Sequence, residues 1–325
     1  MPRITQAHDE RVRALDPAIA PAGAELDEDA PGYLAAIAGD GRAEAIAGFE
    51  AVDPATIDAV WGALRRHTLE LRSAGEDADR IAAVERVLDA WLERIAETET
   101  PGDFDSSARI SLPTRDIALV NALYARGFGP TGVRAVRLRP RDAATTAPVL
   151  PQRLDGAVVR LATAADADRL GVLDARLLEL DAHFAGVTVR DGADTGFAAE
   201  YRARLERAPE TTWVLERDGE ITGYIHVMPD AESPEPDSQV LAMGGGQYLV
   251  VMYLDESERG AGLGTAFLQL AHDALDAAGA PYVLLSYAAA NPRSGPFWSR
   301  SGYRPVITEW QRRPAVFAPI PAARR

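Results

Sequence analysis

The sequence contains no cysteine and no lysine. Without cysteine it can form no disulfide, no thiolate metal site and no cysteine nucleophile. Without lysine it can form neither a lysine Schiff base nor a phosphate loop of the lysine-containing kind. No apolar run approaches the roughly 20 residues of a membrane-spanning helix, and the first residues, MPRITQAHDERVRAL, lack the apolar core of a signal peptide. We therefore expect a cytoplasmic protein that does not enter a membrane.

Positive charge is also scarce. The 34 basic residues, all of them arginine, face 49 acidic residues, which gives a formal net charge of −15. An acidic chain is a poor ligand for nucleic acid, so we expect no nucleic-acid partner. The content of 47% hydrophobic and 26% charged residues is ordinary for a globular protein.

The chain has 325 residues, about twice the length of an average domain, and this predicts two domains. The segment RDAATTAPVLPQRLD is rich in alanine, threonine and proline and is the best candidate for a linker. We predict a poorly packed lead-in over residues 1–32, a first domain over 33–140, a linker over 141–155, a second domain over 156–318 and a tail over 319–325.

Hydrophobic spacing predicts the elements of the first domain. Strands are expected at 33–38 and 43–49, followed by two amphipathic helices. The first helix should start at Asp53-Pro54 and bury Ile57, Val60, Trp61, Leu64 and Leu69. The second should cover 81–95. A strand at 108–112, a helix at 117–126 and a strand at 132–138 complete this half.

The second domain is predicted to alternate strands and helices around a central hairpin at Asp218-Gly219. The expected strands are 157–161, 213–216, 221–228, 247–254, 282–287 and 303–310. The expected helices follow Thr163 and cover 196–207, 262–278 and 294–300. This pattern predicts an α/β fold of the mixed α+β kind.

The segment after the strand at 247–254 carries a chemical signal. Glycines at 260, 262 and 264 precede a helix and leave its first backbone N–H groups accessible, an arrangement suited to phosphate. The spacing G-x-G-x-G is not the dinucleotide pattern G-x-G-x-x-G, which disfavours a dinucleotide oxidoreductase. A glycine-rich turn that only joins strand to helix is the structural alternative.

A second block, NPRSGPFWSRSGYRP, lies downstream. The two blocks together resemble the GNAT superfamily of acetyl-CoA-dependent N-acetyltransferases over roughly residues 156–318. The family hallmark [Q/R]-x-x-G-x-[G/A] is matched by Arg259, Gly262 and Gly264. The second family pattern is matched by Asn291, Ser294, Phe297, Gly302 and Tyr303.

The resemblance implies a central mixed sheet flanked by helices, acetyl-CoA as co-substrate, no metal, and direct attack of an amine in a ternary complex. It implies that the strand carrying Met252–Leu254 splays from its neighbour, so that its free backbone groups bind the pantetheine arm. The coenzyme-binding residues that it implies are Met252, Tyr253, Leu254, Arg259, Gly260, Ala261, Gly262, Leu263, Gly264, Thr265, Asn291, Phe297 and Trp298.

The general acid does not carry over from the family. Where many members have an aromatic hydroxyl, this sequence has Trp298, whose indole N–H is no useful acid near neutral pH. Trp298 packs against either the coenzyme arm or the core. Tyr287 is the substitute candidate for the catalytic acid, with strand-end packing as its alternative role and water as an alternative acid.

The general base is equally open. Asp181, Glu232, Glu235 and Asp237 lie in segments that could border the acceptor site, and a solvated loop charge is the alternative role of each. His183 is a candidate for the acceptor pocket. His183 and His226 could instead have ordinary surface or packing roles.

The first domain resembles a smaller, degenerate GNAT-like copy. Gly127-Phe128-Gly129-Pro130 parallels Gly302-Tyr303-Arg304-Pro305, but the first half has no glycine-rich coenzyme loop. An unrelated α/β domain is the alternative. We expect an N-acyltransferase that moves an acetyl group to an amine, either a small molecule or a peptide or protein amine. The alternative is a catalytically impaired GNAT-fold sensor of acyl-CoA.

Overall fold

The computed structural model describes residues 4–184, 186–233 and 240–319. The chain forms two compact units. The first unit comprises residues 1–133, 186–188 and 306–325, and the second comprises 134–185 and 189–305. The domain bounds expected from the sequence, 33–140 and 156–318, stay a prediction.

The first unit opens with a helix and a three-stranded meander. Its helices are α1 (Ile4–Leu15), α2 (Asp77–Thr98) and α3 (Val120–Ala125). Its strands are β1 (Tyr33–Ala38), β2 (Gly41–Ala51), β3 (Arg65–Ala74), β4 (Ser106–Pro113) and β5 (Gly129–Leu138), of which β5 continues into the second unit after Val133. Residues 306–312 of the last strand, β12 (Arg304–Arg312), also belong to this unit.

The strands of the first unit lie in the order β1-β2-β3-β4-β12-β5. β3 and β4 pair in parallel, as expected when helix α2 connects them, whereas β1, β2 and β3 form antiparallel neighbours and β12 runs antiparallel to β4. One face of α2 packs on the sheet and buries Val84, Leu88, Trp91 and Ile95.

Two expectations for the first unit are wrong. The predicted helix over Ile57–Leu69 is a single 3-10 turn at Ile57–Trp61, after which Gly62 (φ 145°) redirects the chain into β3. In the sequence RRHTLELRSA, the apolar residues Leu69 and Leu71 alternate with polar residues. This period of two favours a strand over a helix. The lead-in is not poorly packed, because α1 buries Ile4, Thr5 and Val12.

The second unit follows the predicted order closely. Its strands are β6 (Gln152–Leu154), β7 (Ala157–Leu161), β8 (Thr212–Arg217), β9 (Glu220–Pro229), β10 (Gln247–Leu254) and β11 (Tyr282–Ala288). Its helices are α4 (Ala167–Asp181), α5 (Ala193–Arg207), α6 (Leu263–Ala277) and α7 (Ser294–Arg300). Thr163 and Asp166 form a capping box ahead of α4, as their spacing predicted.

Residues 134–138 of β5 begin the sheet of the second unit, which continues in the order β11-β10-β9-β8-β7-β6. Here too a parallel pair, β10 and β11, is joined by a helix, α6, and the pairs from β10 outward to β6 are antiparallel. The core includes Phe267, Leu268 and Ala271 from α6. Both units are therefore mixed α/β structures with a helix-flanked sheet, which confirms the predicted fold class. None of the helices in the described ranges is long and apolar enough to cross a membrane.

Candidate functional site

The two parallel strands of the second unit separate halfway along their length. β10 and β11 pair only from Gln247/Val283 to Leu249/Leu285. Beyond that point β10 continues to Leu254 and β11 to Ala288. On its other side β10 stays paired with β9 as far as Leu254, across a bulge between Leu249 and Val251. A bulge of this kind bends and twists the strand locally, and the backbone of Met252–Leu254 consequently faces an opening instead of a neighbouring strand.

The glycine-rich loop lies at the end of β10 and leads into α6. Gly260 (φ 96°) and Gly262 (φ 85°) have left-handed backbones, and a Cβ on either would meet no atom within 4 Å. The first hydrogen bond at the head of α6 runs from Ala266 N to Gly262 O at 3.1 Å. The N–H groups of Leu263, Gly264 and Thr265 therefore precede the hydrogen-bond ladder of the helix.

The third glycine has a different role from the first two. A Cβ on Gly264 would lie 3.0 Å from Leu254 Cδ1, 3.7 Å from Met252 Cε and 4.0 Å from Phe297 Cε2. Gly264 therefore allows the first turn of α6 to pack closely on the end of β10. Gly260 and Gly262 therefore provide a left-handed turn, and Gly264 allows the close approach of α6 to β10.

Two arginines line the cleft beside this loop. The cleft has a volume of about 510 Å³ and is lined by Glu256, Arg259, Gly260 and Arg293. Arg259 Nε donates to Leu254 O at 2.8 Å, which holds its guanidinium at the end of β10. Arg293 is exposed. Sequence reasoning missed Arg293, although its place inside the second block, just before α7, is a signal that could have found it.

Asn291 connects the second block to the C-terminal end of α4. Its Oδ1 accepts hydrogen bonds from the backbone N–H groups of Arg293 (3.0 Å) and Ser294 (3.4 Å), which fixes the entry into α7. With its oxygen so used, its amide nitrogen is the donor toward Asp181. Burial raises the pKa of Asp181 to about 6, and the hydrogen bond from Asn291 offsets part of that rise.

The three aromatic candidates lie in different surroundings. Trp298 is 8% exposed and packs edge-on against Phe297 and Tyr303, at ring-centroid distances of 4.9 and 5.4 Å. It therefore belongs to the core, whereas half-buried Phe297 reaches toward Gly264. Tyr287 is half-buried at the end of β11 beside Gly295. Burial raises the pKa of Tyr287, and no hydrogen bond joins its hydroxyl to another described residue.

The two histidines differ in exposure. His226 is 2% exposed; its Nδ1 lies 2.8 Å from Thr212 Oγ1 and its Nε2 lies 3.2 Å from Arg204 Nη1. Burial, aided by Arg204, lowers the pKa of His226 to about 3, so it is a neutral structural group. His183 is exposed just after α4, with its ring 6.3 Å from that of Phe184.

Of the three remaining carboxylates suggested as bases, the structure describes one. Glu232 is exposed and lies 3.9 Å from Arg207. Glu235 and Asp237 lie outside the described residues. Within the described part of the chain, no group of three or more acidic or histidine side chains could hold a metal ion.

A buried acid that sequence reasoning missed lies between α4, α5 and β9. Asp174 is 5% exposed and accepts a hydrogen bond from Tyr201 Oη at 2.9 Å. Tyr201 Oη lies 3.3 Å from Tyr224 Oη, which also hydrogen-bonds to Asp174. Burial raises the pKa of Asp174 to about 7.

Comparisons with known proteins find a family model that covers this site. The model of the Acetyltransferase (GNAT) family matches residues 177–303, which include the whole loop and nearly all of the second block. No curated protein matches the chain. Many solved structures do, at low sequence identity.

A GCN5-related N-acetyltransferase from Sphaerobacter thermophilus is 14% identical, with 97% of this chain and 92% of that one covered and a TM-score of 0.54. A GNAT acetyltransferase from Colwellia psychrerythraea is 12% identical over 96% and 97% of the two chains, with a TM-score of 0.47. A tandem GNAT protein from the clavulanic acid biosynthesis pathway is 12% identical over 78% and 76%, with a TM-score of 0.43. The family model thus shows a GNAT acetyltransferase domain over residues 177–303, and the first of these structures shows a like fold over most of the chain.

Proposed function

We propose that the second unit is an N-acetyltransferase that moves an acetyl group from acetyl-CoA to an amine in a ternary complex. The observation that carries this proposal is the separation of β10 from β11 directly ahead of a helix whose first N–H groups are free of the helical ladder. The opening between the strands suits an extended thioester arm, and the helix N-terminus suits its pyrophosphate.

The residues at this site fit the coenzyme in charge and in space. Gly260 and Gly262 leave open volume over the helix N-terminus, where an anion would lie. Arg259 and Arg293 supply positive charge to the adjoining cleft in an otherwise acidic chain. We assign the pyrophosphate to Arg259–Thr265 and the pantetheine arm to the backbone of Met252–Leu254. Phe297 lies beside the loop. We propose that Trp298 packs behind Phe297 and supports it.

Acetyl-CoA supplies the acetyl group as an activated thioester. Backbone N–H groups of β10 donate to the carbonyl oxygen as negative charge develops there. Asp181 takes one proton from the acceptor's ammonium group, and the neutral amine then forms the new C–N bond to the thioester carbon. The nitrogen gives its second proton to solvent as the C–S bond breaks, and Asp181 returns its own proton to solvent. Tyr287 then gives a proton to the departing thiolate and recovers one from solvent. No covalent protein intermediate is needed, in keeping with a chain that has no cysteine.

Asp181 is the base that the geometry favours. It lies at the end of α4 and meets Asn291 of the second block, so it is tied to the same site as the loop. A pKa of about 6 leaves it a carboxylate at neutral pH and still basic enough to accept a proton. We place the acceptor amine, from a small molecule or from a peptide or protein, beside Asp181, with His183 at the rim.

We also propose that the first unit is a degenerate, non-catalytic GNAT-like copy. Its series of an antiparallel hairpin (β1-β2), a strand, a helix, a strand, a short helix and a strand recurs along the chain from the hairpin β8-β9 to β12. The second unit adds α4 and α5 ahead of this series. The glycine loop is the part of the series that the first unit lacks.

The test is calorimetric titration with acetyl-CoA, followed by assays of coenzyme A release across a panel of amines. Because the protein has no cysteine, a thiol reagent detects released coenzyme A without background from the protein, and no lysine side chain competes as acceptor. Binding with turnover is expected. Binding without turnover of any amine favours the sensor instead, and absence of binding refutes the proposal.

The loop assignment has a matched pair of variants. Gly262→Glu places bulk and negative charge at the head of α6, and we expect it to abolish acetyl-CoA binding. Gly279, just beyond the other end of α6, has nearly the same backbone (φ 86° against 85°) and the same open surroundings. Gly279→Glu adds the same strain and charge and should bind normally. Equal affinities of the two variants would show that the loop is misassigned.

A further inference from the structure

The first unit contains the same strand separation as the second. β3 and β4 pair from Arg65/Ser106 to Leu69/Ile110, and then β3 continues to Ala74 and β4 to Pro113. These unpaired lengths equal those of β10 and β11. The first unit therefore has a groove of the kind that we assign to the coenzyme arm in the second.

Helix α1 packs on β3 and satisfies part of its backbone beyond the last pair with β4. Ser73 lies on the part of β3 that does not pair with β4, and it donates its backbone N–H to His8 Nδ1 at 3.2 Å. Its carbonyl oxygen accepts from Arg11 Nε at 3.4 Å. Burial lowers the pKa of His8 to about 4, which keeps the ring neutral and able to accept this bond at pH 7. Ser73 is only 1% exposed, so water does not compete.

Arg11 also spans the groove. Its Nη1 lies 2.6 Å from Oδ2 of Asp116, which follows β4. Arg80 of α2 joins the same cluster: its Nη2 lies 3.3 Å from Asp116 Oδ1, and its Nη1 lies 3.5 Å from Ser73 Oγ. Arg80 and Asp116 are 1% and 5% exposed. A largely buried charged network thus ties α1 to β3 and to the segment that follows β4.

The head of α2 is unsuited to phosphate. Where the second unit has three glycines, the first unit has Gly75 followed by Glu76, Asp77 and, in the first turn, Asp79. Carboxylates at a helix N-terminus satisfy the helix dipole and repel a phosphate anion. The β2-β3 ladder is also regular from Arg42/Ala74 to Ala51/Arg65, without the bulge of β10.

We propose that α1 is the intrachain occupant of a coenzyme-type groove in the first unit, so that the chain carries one coenzyme site and not two. The closure by α1 stands on the contacts of the first unit alone. The count of coenzyme sites rests on the function proposed above. Two measurements keep these parts separate.

The first measurement is amide hydrogen exchange at Ser73 in the full chain. The double variant His8→Ala/Arg11→Ala removes both contacts to its backbone, and we expect Ser73 to exchange at least about tenfold faster. The control is Arg13→Ala, an exposed arginine on the same helix, which should leave the rate unchanged. Equal rates in the wild type and the double variant would overturn the closure. So would equal acceleration in the control.

The second measurement is calorimetric stoichiometry with acetyl-CoA. We expect one equivalent per chain in the wild type and none in Gly262→Glu. Two equivalents in the wild type, of which one remains in Gly262→Glu, would overturn the single-site conclusion. One equivalent in both proteins would show instead that the loop is misassigned. If the wild type binds none, the proposed function fails, while Ser73 exchange still decides whether α1 closes the groove.

Discussion

Asp174 makes the stability of the second unit depend on pH in an unusual direction. In the folded chain its pKa is raised from an ordinary 3.8 to about 7, chiefly because burial penalises the carboxylate. The unfolded chain therefore releases this proton at lower pH than the folded chain. The stability that the protonated form provides is complete below pH 3.8 and is lost as the pH rises through this window toward 7.

The size of the effect follows from the shift. Each pKa unit corresponds to about 1.4 kcal/mol, so the full shift corresponds to about 4 kcal/mol of unfolding free energy, of which about 3 kcal/mol falls between pH 5 and pH 8. Asp174→Asn keeps the shape of the side chain and cannot ionise. The advantage of this variant over the wild type should therefore grow by about 3 kcal/mol from pH 5 to pH 8.

The assay is urea unfolding at both pH values, followed by pulsed hydrogen exchange in α4 and β9 so that the second unit is observed separately. Asp168→Asn is the control, because Asp168 lies on the same helix but is exposed and paired with Arg202 at 2.6 Å. Its effect should be small and equal at both pH values. If the gap between Asp174→Asn and the wild type is the same at pH 5 and pH 8, the buried acid does not titrate as argued.

Two further predictions concern the site and its support. Asp181→Asn should lower kcat/KM at least about tenfold and abolish the rise of kcat/KM through pH 6, because the wild type needs the carboxylate form. The assay is coenzyme A release, with Glu179→Gln at an exposed neighbouring position as the control. An unchanged pH profile in Asp181→Asn would show that Asp181 is not the base. Arg137→Ala should lower the free energy of unfolding of the second unit, measured in urea, by about 3–5 kcal/mol. It leaves the buried carboxylate of Asp276 without the guanidinium that binds it at 2.9 and 2.7 Å. The double variant Arg137→Met/Asp276→Leu should recover most of the loss, and a loss below about 1 kcal/mol for Arg137→Ala would contradict this reasoning.

The sequence predicted the second unit well because its signals are local. The strand at 247–254, the glycines after it and the short helix at 294–300 each follow from neighbouring residues, and the structure has β10 and α7 at those bounds. A helix was wrongly predicted where β3 begins, because the apolar residues from Ile57 to Leu64 fit a helical spacing. The period of two that is typical of a strand begins only within β3 itself.

The parts that sequence reasoning could not supply depend on contacts between distant residues. The strand separation depends on where the pairing of β10 with β11 ends, which no local pattern specifies. The contact of Asp181 with Asn291, and that of His8 with Ser73, join segments far apart in the chain. Burial of that kind also sets the pKa of Asp174, so neither the base nor the buried acid could be singled out beforehand.

The distribution of β5 and β12 constrains how this protein can be divided or evolve. A cut in the segment 141–155 would leave the first half without residues 306–312 and the second half without 134–138. β4 and β11 would each lose a neighbouring strand and become open edges, which invite aggregation. Neither half can therefore be removed without opening a sheet edge in the other, and expression of either half alone should yield insoluble protein.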